Sequence, residues 1–180
     1  QVLWEDHLLP DSSHDFGKDI LPRLVSSKRR IIAFPFTGYW MDVGTILSYW
    51  QAHMDMLSPN PLLKLYDRSW VIHTRTEERP PVRIPQGANI FASMISDGCS
   101  IQENARVESS VLSPGVIVGS GAVVRESILL TDTIIESGAI VERGILDKRV
   151  LVEKNARVGG GIANPNIQLA VVGKKSVIPA

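Results

Sequence analysis

IPQGANIFASMISDGCS (84–100), IQENARVESSVLSPGVI (101–117), VGSGAVVRESILLTDTI (118–134), IESGAIVERGILDKRVL (135–151) and VEKNARV (152–158) follow one another without a gap and align as a 17-residue repeat. The rows begin at Ile84, Ile101, Val118, Ile135 and Val152. Four residues into each row stands an alanine: Ala88, Ala105, Ala122, Ala139 and Ala156. Six in stand Ile90, Val107, Val124, Val141 and Val158, and ten in stand Met94, Val111, Ile128, Ile145 and Ile162. Self-similarity at a fixed short period is the mark of a solenoid, in which each repeat buries its apolar face only against its neighbours. Short β-branched pieces about six residues apart, broken by small or polar residues, read as three strands per row.

The residue before each alanine is Gly87, Asn104, Gly121, Gly138 or Asn155. Glycine and asparagine enter the left-handed region at least cost, so this column predicts a tight corner, with the alanine pointing inward where little room is left. A second corner is expected at Gly98, Pro114-Gly115, Asp132 and Arg149, with Cys99, Val116, Thr133 and Val150 following it inward. Charged residues between these columns (Arg106, Glu108, Arg125, Glu126, Glu142, Arg143, Glu153, Lys154 and Arg157) are expected to face water. The pattern resembles the hexapeptide-repeat family, which implies a left-handed parallel β-helix of about five coils in a mainly β chain.

Nineteen Lys plus Arg balance nineteen Asp plus Glu over 180 residues, with no block of either sign. That argues against a nucleic-acid or membrane-surface partner. No apolar run reaches the ~18 residues of a membrane span, and no signal-peptide pattern opens the chain. The single cysteine, Cys99, excludes an internal disulfide and suits a reducing, cytoplasmic setting. Its inward column makes it a core residue.

The section before the repeats reads as mixed α/β. The polar run DSSHD (11–15) precedes a helical pattern over 16–26 (Phe16, Ile20, Leu21, Leu24, Val25), which Pro22 should end or kink. RRIIAFPF (29–36) reads as a buried strand from Arg30 onward. TGYWMDVG (37–44) is a loop, and 45–57 is a helix with the apolar face Ile46, Tyr49, Trp50, His53 and Leu57, closed by Pro59 and Pro61. A short strand is expected from YDRSW (66–70) through Thr74, then a linker at EERPP (77–81). The boundary is placed there, giving 1–80 and 81–180. One strand and two helices are too few for a doubly wound sheet, so residues preceding Gln1 are expected to complete that domain.

Four ordered motifs, SHDFGKDILP (13–22), GYWMDVGT (38–45), YDRSW (66–70) and VLSPG (111–115), followed by a β-helix, resemble the bacterial glucose-1-phosphate adenylyltransferase family. The resemblance runs over nearly the whole chain. It implies a remnant of an α/β nucleotidyltransferase domain joined to a left-handed β-helix, from an enzyme that makes ADP-glucose and pyrophosphate from ATP and glucose 1-phosphate in glycogen synthesis. The family's Tyr-Trp-x-Asp-x-Gly-Thr loop supplies an aspartate that helps hold Mg2+, here Asp42. Met41 departs from the charged residue often found beside it. Asp42 has an alternative role in shaping the turn before Val43-Gly44 or capping the helix after it. Asp15 and Lys18 are assigned to the sugar pocket or, equally, to capping and a helix surface; Trp40 is core or pocket wall.

The family's Gly-rich phosphate loop, second metal aspartate and Glu-Lys pair all lie upstream of the matched region. The chain by itself is therefore expected not to catalyse the reaction. Gly159-Gly160-Gly161 lacks the Lys-Ser/Thr of a phosphate loop and reads as the point where coil geometry ends. In the family an anionic metabolite binds near the domain junction. The corresponding lysines are Lys148 in ILDK (145–148) and Lys174 or Lys175 in VGKKSVIP (172–179), with solvated coil lysines as the alternative.

Rival classes are weaker. A hexapeptide acyltransferase uses a histidine base on its coils, and a γ-type carbonic anhydrase uses histidine ligands there. His7, His14, His53 and His73 all precede the solenoid. A guanylyl- or uridylyltransferase parent and a purely structural module stay open. A homo-oligomer is expected, a tetramer for the parent, with the tail from 162 to 180 or a second chain covering the solenoid's end.

Overall fold

The computed structural model describes residues 1–74, 77–160 and 169–180. The chain forms two compact units, Gln1–Gly38 and Tyr39–Ala180, each described by itself.

The second unit is built on a parallel β-solenoid whose coils each contribute one strand to three sheets. The first sheet stacks Asn89–Phe91, Arg106–Glu108, Val123–Arg125, Ile140–Glu142 and Arg157–Val158. The second stacks Met94–Ile95, Val111–Leu112, Ile128–Leu129, Gly144–Leu146 and Ala170–Val172. The third stacks Ser100–Ile101, Ile117–Val118, Ile134–Ile135, Leu151–Val152 and Val177–Ile178. Partners in the first sheet are 17 residues apart throughout, as Asn89 opposite Arg106 and Ile140 opposite Arg157.

Both expected corners form. Gly87, Asn104, Gly121, Gly138 and Asn155 all have positive φ, as do Gly98, Gly115, Asp132 and Arg149, joined at the second corner by Lys175. A third corner was not foreseen. It runs through Ala92, Ser109, Glu126 and Arg143, also at positive φ, residues that carry no turn signal of their own. The interior is an apolar column of the alanines, the Val107–Val124–Val141–Val158 row, Cys99, Val116 and Val150. Burial pushes the Cys99 thiol up, as suits a core residue.

The ten-in column behaves differently. The second sheet sends Ile95, Leu112, Leu129 and Leu146 inward, and Met94, Val111, Ile128 and Ile145 outward, as strand alternation requires. Helix α3 (Ile46–Met56) covers part of that outer surface, with Trp50 against Ile128 and Ile145. The helix begins where Thr45 and Ser48 form a reciprocal cap. Of the expected face Trp50 and Tyr49 meet the sheet, joined by Met54, whereas Ile46 is 53% exposed.

Three further expectations are corrected. The coil does not end at 159–161: Val171 stands opposite Ile145 and Val177 opposite Leu151, so the solenoid continues after nine extra residues in the last coil. The open edge of each sheet offers unpaired N–H and C=O groups that the returning strands satisfy. Val171 takes the place assigned to Ile162, which with Gly161 lies outside the described residues. The 169–180 part of the tail is thus the last coil rather than a lid. Second, Glu142 is buried, gripped by Arg125 at 3.2 Å and Arg157 at 3.6 Å. The ladder Glu108–Arg125–Glu142 stacks opposite charges one coil apart, and Arg125 and Arg157 cover the Glu142 carboxylate from either side. Third, 30–36 and 66–74 form no strand. Ile32 and Phe34 are exposed, and among the described residues of 1–80 there is no strand to pair with them; a strand exists only through its ladder.

The first unit is helical: α1 (Val2–His7) and α2 (Leu21–Ser26), the latter entered through a π-helical turn, Phe16–Ile20. Pro22 falls in the first turn of α2, where its missing N–H costs nothing. The opening helix α1 was not expected.

Candidate functional site

The loop bearing Asp42 is held from both sides. Tyr39 donates its hydroxyl to Asp55 Oδ2 of α3 at 3.0 Å, and Thr45 caps the same helix. Burial, then Asp55, pushes the Tyr39 phenol above its ordinary range. Between these anchors Asp42 Oδ1 accepts the Gly44 N–H at 3.0 Å. A Cβ on Gly44 would stand 3.1 Å from that oxygen, so glycine lets the carboxylate lie against the backbone. Asp42 therefore shapes its own turn while remaining exposed, and Trp40 beside it is 75% exposed, a surface ring rather than a core one.

Because α3 packs on the solenoid through Trp50, the Asp42 loop rides on the same unit as the coils. Trp50 Nε1 donates to the Glu126 carbonyl at 2.7 Å, and the Arg143 guanidinium lies 5.3 Å above its ring. The unusual backbone of the third corner turns that carbonyl toward the helix.

Asp15 lies in the first unit. Its Oδ1 accepts the N–H groups of Gly17 and Lys18, each at 2.8 Å, so it caps the turn that opens 16–20. The Lys18 side chain is at the surface.

The last two coils bring the assigned lysines together. Lys175 donates its backbone N–H to the Lys148 carbonyl at 3.0 Å, and the pairing of Leu146 with Val172 and Leu151 with Val177 sets Lys148 level with Lys174. Arg149 joins them at the corner. All four are exposed. Arg149 had been read only as a corner residue, because the 17-residue period hides its alignment with Lys175 across a longer last coil.

Two features had no signal in the periodicity. Arg79, from the linker, lies along the second corner over Gly98 and Gly115 and reaches Asp132 at 2.8 Å, with Glu77 on its other side. These carboxylates, Asp132 first, hold the guanidinium above its ordinary value. A cleft of about 620 Å³ opens between the 59–67 loop and Met94 of the first coil, lined by Met56, Leu63, Lys64, Tyr66 and Asp67. Hydrogen bonds from Ser69 hold the Asp67 carboxyl below its usual range.

Among the described residues no three His, Cys, Asp or Glu side chains gather as a metal site. Asp42 is a lone exposed carboxylate, able to offer one oxygen ligand to a hard cation.

Residues 82–179 match the family model described as "GlmU-like, C-terminal hexapeptide", and residues 4–59 match that described as "Nucleotidyl transferase". The chain is 48% identical over 101 residues to a glucose-1-phosphate adenylyltransferase of Thermosipho melanesiensis, covering 56% of this chain and 24% of that protein. It is 46% identical over 102 residues to the one of Geobacillus stearothermophilus, covering 57% and 26%. With that of Bacillus subtilis it shares 44% over 104 residues, covering 58% and 27%. The chain thus matches about a quarter of the length of these curated relatives. No helix among the described residues is long and apolar enough to cross a membrane.

Proposed function

The chain belongs to the family of GlmU-like C-terminal hexapeptide domains, and from that premise we propose that it is the C-terminal portion of a glucose-1-phosphate adenylyltransferase. The observation that carries this reading is the 48% identity over 101 residues to a protein of that name, together with a nucleotidyl transferase match over 4–59. The parent would join ATP and glucose 1-phosphate into ADP-glucose, with release of pyrophosphate, for glycogen synthesis. The solenoid would serve oligomerisation and the binding of an anionic effector, and this portion alone would be inactive.

Asp42 contributes a carboxylate held at a fixed angle by the Gly44 N–H, with its other oxygen left to face a ligand. Mg2+ bound there would neutralise charge on the phosphate oxygens as a sugar-phosphate oxygen attacks the α-phosphorus. Thr45, Tyr39 and α3 keep that carboxylate from drifting. Asp15 and Lys18 are proposed to border the sugar site, with Asp15 doing so through the turn that it caps. Trp40 presents a flat apolar ring beside Asp42, suited to a sugar or base face.

The four-cation corner suits a phosphate-bearing effector. Ammonium groups of Lys148, Lys174 and Lys175 supply point charges from two stacked coils, and the described face holds them a strand spacing apart. Thermal melts with Mg2+ and, in turn, ATP, glucose 1-phosphate, ADP-glucose, fructose 1,6-bisphosphate and acetyl-CoA test the reading. A ligand at about 100 times its Kd adds roughly 2.7 kcal/mol, several degrees in Tm. A shift with the sugar bisphosphate that vanishes in Lys148→Ala is expected. A shift with acetyl-CoA would overturn the reading in favour of acyl transfer.

A further inference from the structure

The second corner of the solenoid changes character along its length. Coil by coil it presents Gly98, Gly115, Asp132, Arg149 and Lys175, all at positive φ. The first two are bare, and Arg79 of the linker lies in the berth that they leave. A Cβ at Gly98 would meet its side chain at 2.8 Å, and one at Gly115 would strike its guanidinium. Asp132 accepts a hydrogen bond from Arg79 Nη1 at 2.8 Å and leans back over Gly115 to do so. Glu77 holds the other side of the guanidinium at 2.8 Å. The last two corner positions are cations, and among the described residues neither Arg149 nor Lys175 has an ion-pair partner.

Asp132 thus stands between two cationic neighbours on one edge. The Asp132 N–H donates to the Pro114 carbonyl and the Arg149 N–H to the Thr131 carbonyl, which keeps successive corners in step. Arg149 therefore follows Asp132 at about one strand spacing, ~4.8 Å. Opposite charges that close attract one another even near a surface.

What Arg79 fastens is a strap. The Pro80 carbonyl accepts the Gly98 N–H at 2.7 Å. The Arg83 N–H donates to the Cys99 carbonyl and the Arg83 carbonyl accepts the Ile101 N–H, each at 3.0 Å, while Val82 packs on the core. Residues 79–83 so cover the open edge of the third sheet's first strand, between the nucleotidyl transferase match and the body of the hexapeptide match.

We propose that Asp132 is shared between Arg79 and the cation corner, so that the charge at the corner sets how firmly the linker is strapped to the solenoid. With the corner empty, Arg149 draws on Asp132 and weakens its hold on Arg79. An anion seated on Arg149 and Lys175 takes up that charge, leaves Asp132 to Arg79 and tightens the strap. The Asp132–Arg79 pair is the contact that differs between the two states. The inference rests on the proposed anion site and names how its occupancy reaches the linker. Partly exposed ion pairs are individually weak, so the change is a factor of roughly two to five.

Hydrogen exchange of the Gly98 and Ile101 amides, which only the strap covers, reads the seating of the linker. The Ile117 amide, bonded to Thr133 in the next coil, is the reference. At constant ionic strength and without ligand, Arg149→Gln should raise protection of both amides roughly two- to fivefold. Lys175→Gln, one coil farther from Asp132, should do less. Saturating inorganic pyrophosphate, as the anionic probe, should tighten the strap of the wild-type chain and add little to Arg149→Gln. Asp132→Asn should lower the protection, and Arg149→Gln added to it should change nothing further, since the carboxylate that couples them is gone. Protection unmoved by Arg149→Gln, or moved equally in the Asp132→Asn background, overturns the proposal. If pyrophosphate leaves the wild-type chain unchanged while Arg149→Gln still tightens the strap, the anion site fails and the shared carboxylate stands. If pyrophosphate raises Tm yet leaves both amides unchanged, the anion site stands and the coupling is overturned.

Discussion

Replacing Trp50 by alanine should release α3 from the solenoid without melting the solenoid. Trp50 is 8% exposed, packs on Ile128 and Ile145, and gives its indole N–H to the Glu126 carbonyl at 2.7 Å. Truncating a buried aromatic costs about 3–5 kcal/mol, and Trp50 is the one buried residue of α3, with Tyr49 and Met54 partly buried beside it. Ile46 and Leu47 are exposed and contribute no cover, and an isolated helix of this length is unstable in water. The loss should therefore appear as local opening, raising the opening constant of α3 by roughly two to four orders of magnitude. Hydrogen exchange of the 46–56 amides reports it directly, with the Val124 and Val141 strands as an internal reference that should hardly change. Tryptophan emission gives a second readout, because Trp4, Trp40 and Trp70 are exposed and Trp50 is the buried one. Trp50→Phe, keeping the ring and losing the hydrogen bond, should open α3 by far less. Unchanged protection of 46–56 in Trp50→Ala would refute the reasoning, as would simultaneous loss of the solenoid.

Ser110→Ala should lower stability by about 1–3 kcal/mol in a denaturant melt, because the buried Ser127 N–H loses its acceptor at 3.2 Å in a serine column that links Ser93 to Gly144. Gly115→Ala should cost more than Gly121→Ala. Both have positive φ, worth about 1–2 kcal/mol of strain, but a Cβ at 115 would strike the Arg79 guanidinium and Asp132, whereas at 121 it meets nothing within 4 Å. Acid should loosen the first unit through Asp6. Its buried carboxylate is held below its ordinary value by hydrogen bonds, His14 first, then Ser12 and Arg23. A depressed carboxyl pKa contributes stability that is complete above the unfolded value near 3.8 and is lost as pH falls through the lower folded value. Asp6→Asn should flatten that acid limb, followed by circular dichroism from about pH 5 to about pH 2.

The repeat was legible because a solenoid writes its geometry into every coil. A 17-residue period, a Gly/Asn column and an alanine column each predicted a feature that the structure contains, down to the left-handed backbone at Asn104 and Asn155. The third corner was not legible. Ala92, Ser109, Glu126 and Arg143 adopt positive φ because the strands on either side compel it, not because the residues favour it. At the candidate site, the local turn of Asp42 and the cap of Asp15 could be read from residue types, since both depend on neighbours two or three positions away. Arg79 could not, because its partner Asp132 is 53 residues distant.

Sequence by itself determined the period, two of the three corners and the inward columns, all set by local conformational preference repeated five times. Tertiary structure decided which outward columns are covered. Ile128 and Ile134 look alike in sequence, yet one lies under Trp50 and the other faces water. It also decided that Glu142 is buried between two arginines and that the last coil resumes after nine extra residues. Those outcomes depend on groups brought together from distant rows, and hydrophobic cover and charge pairing act across space rather than along the chain.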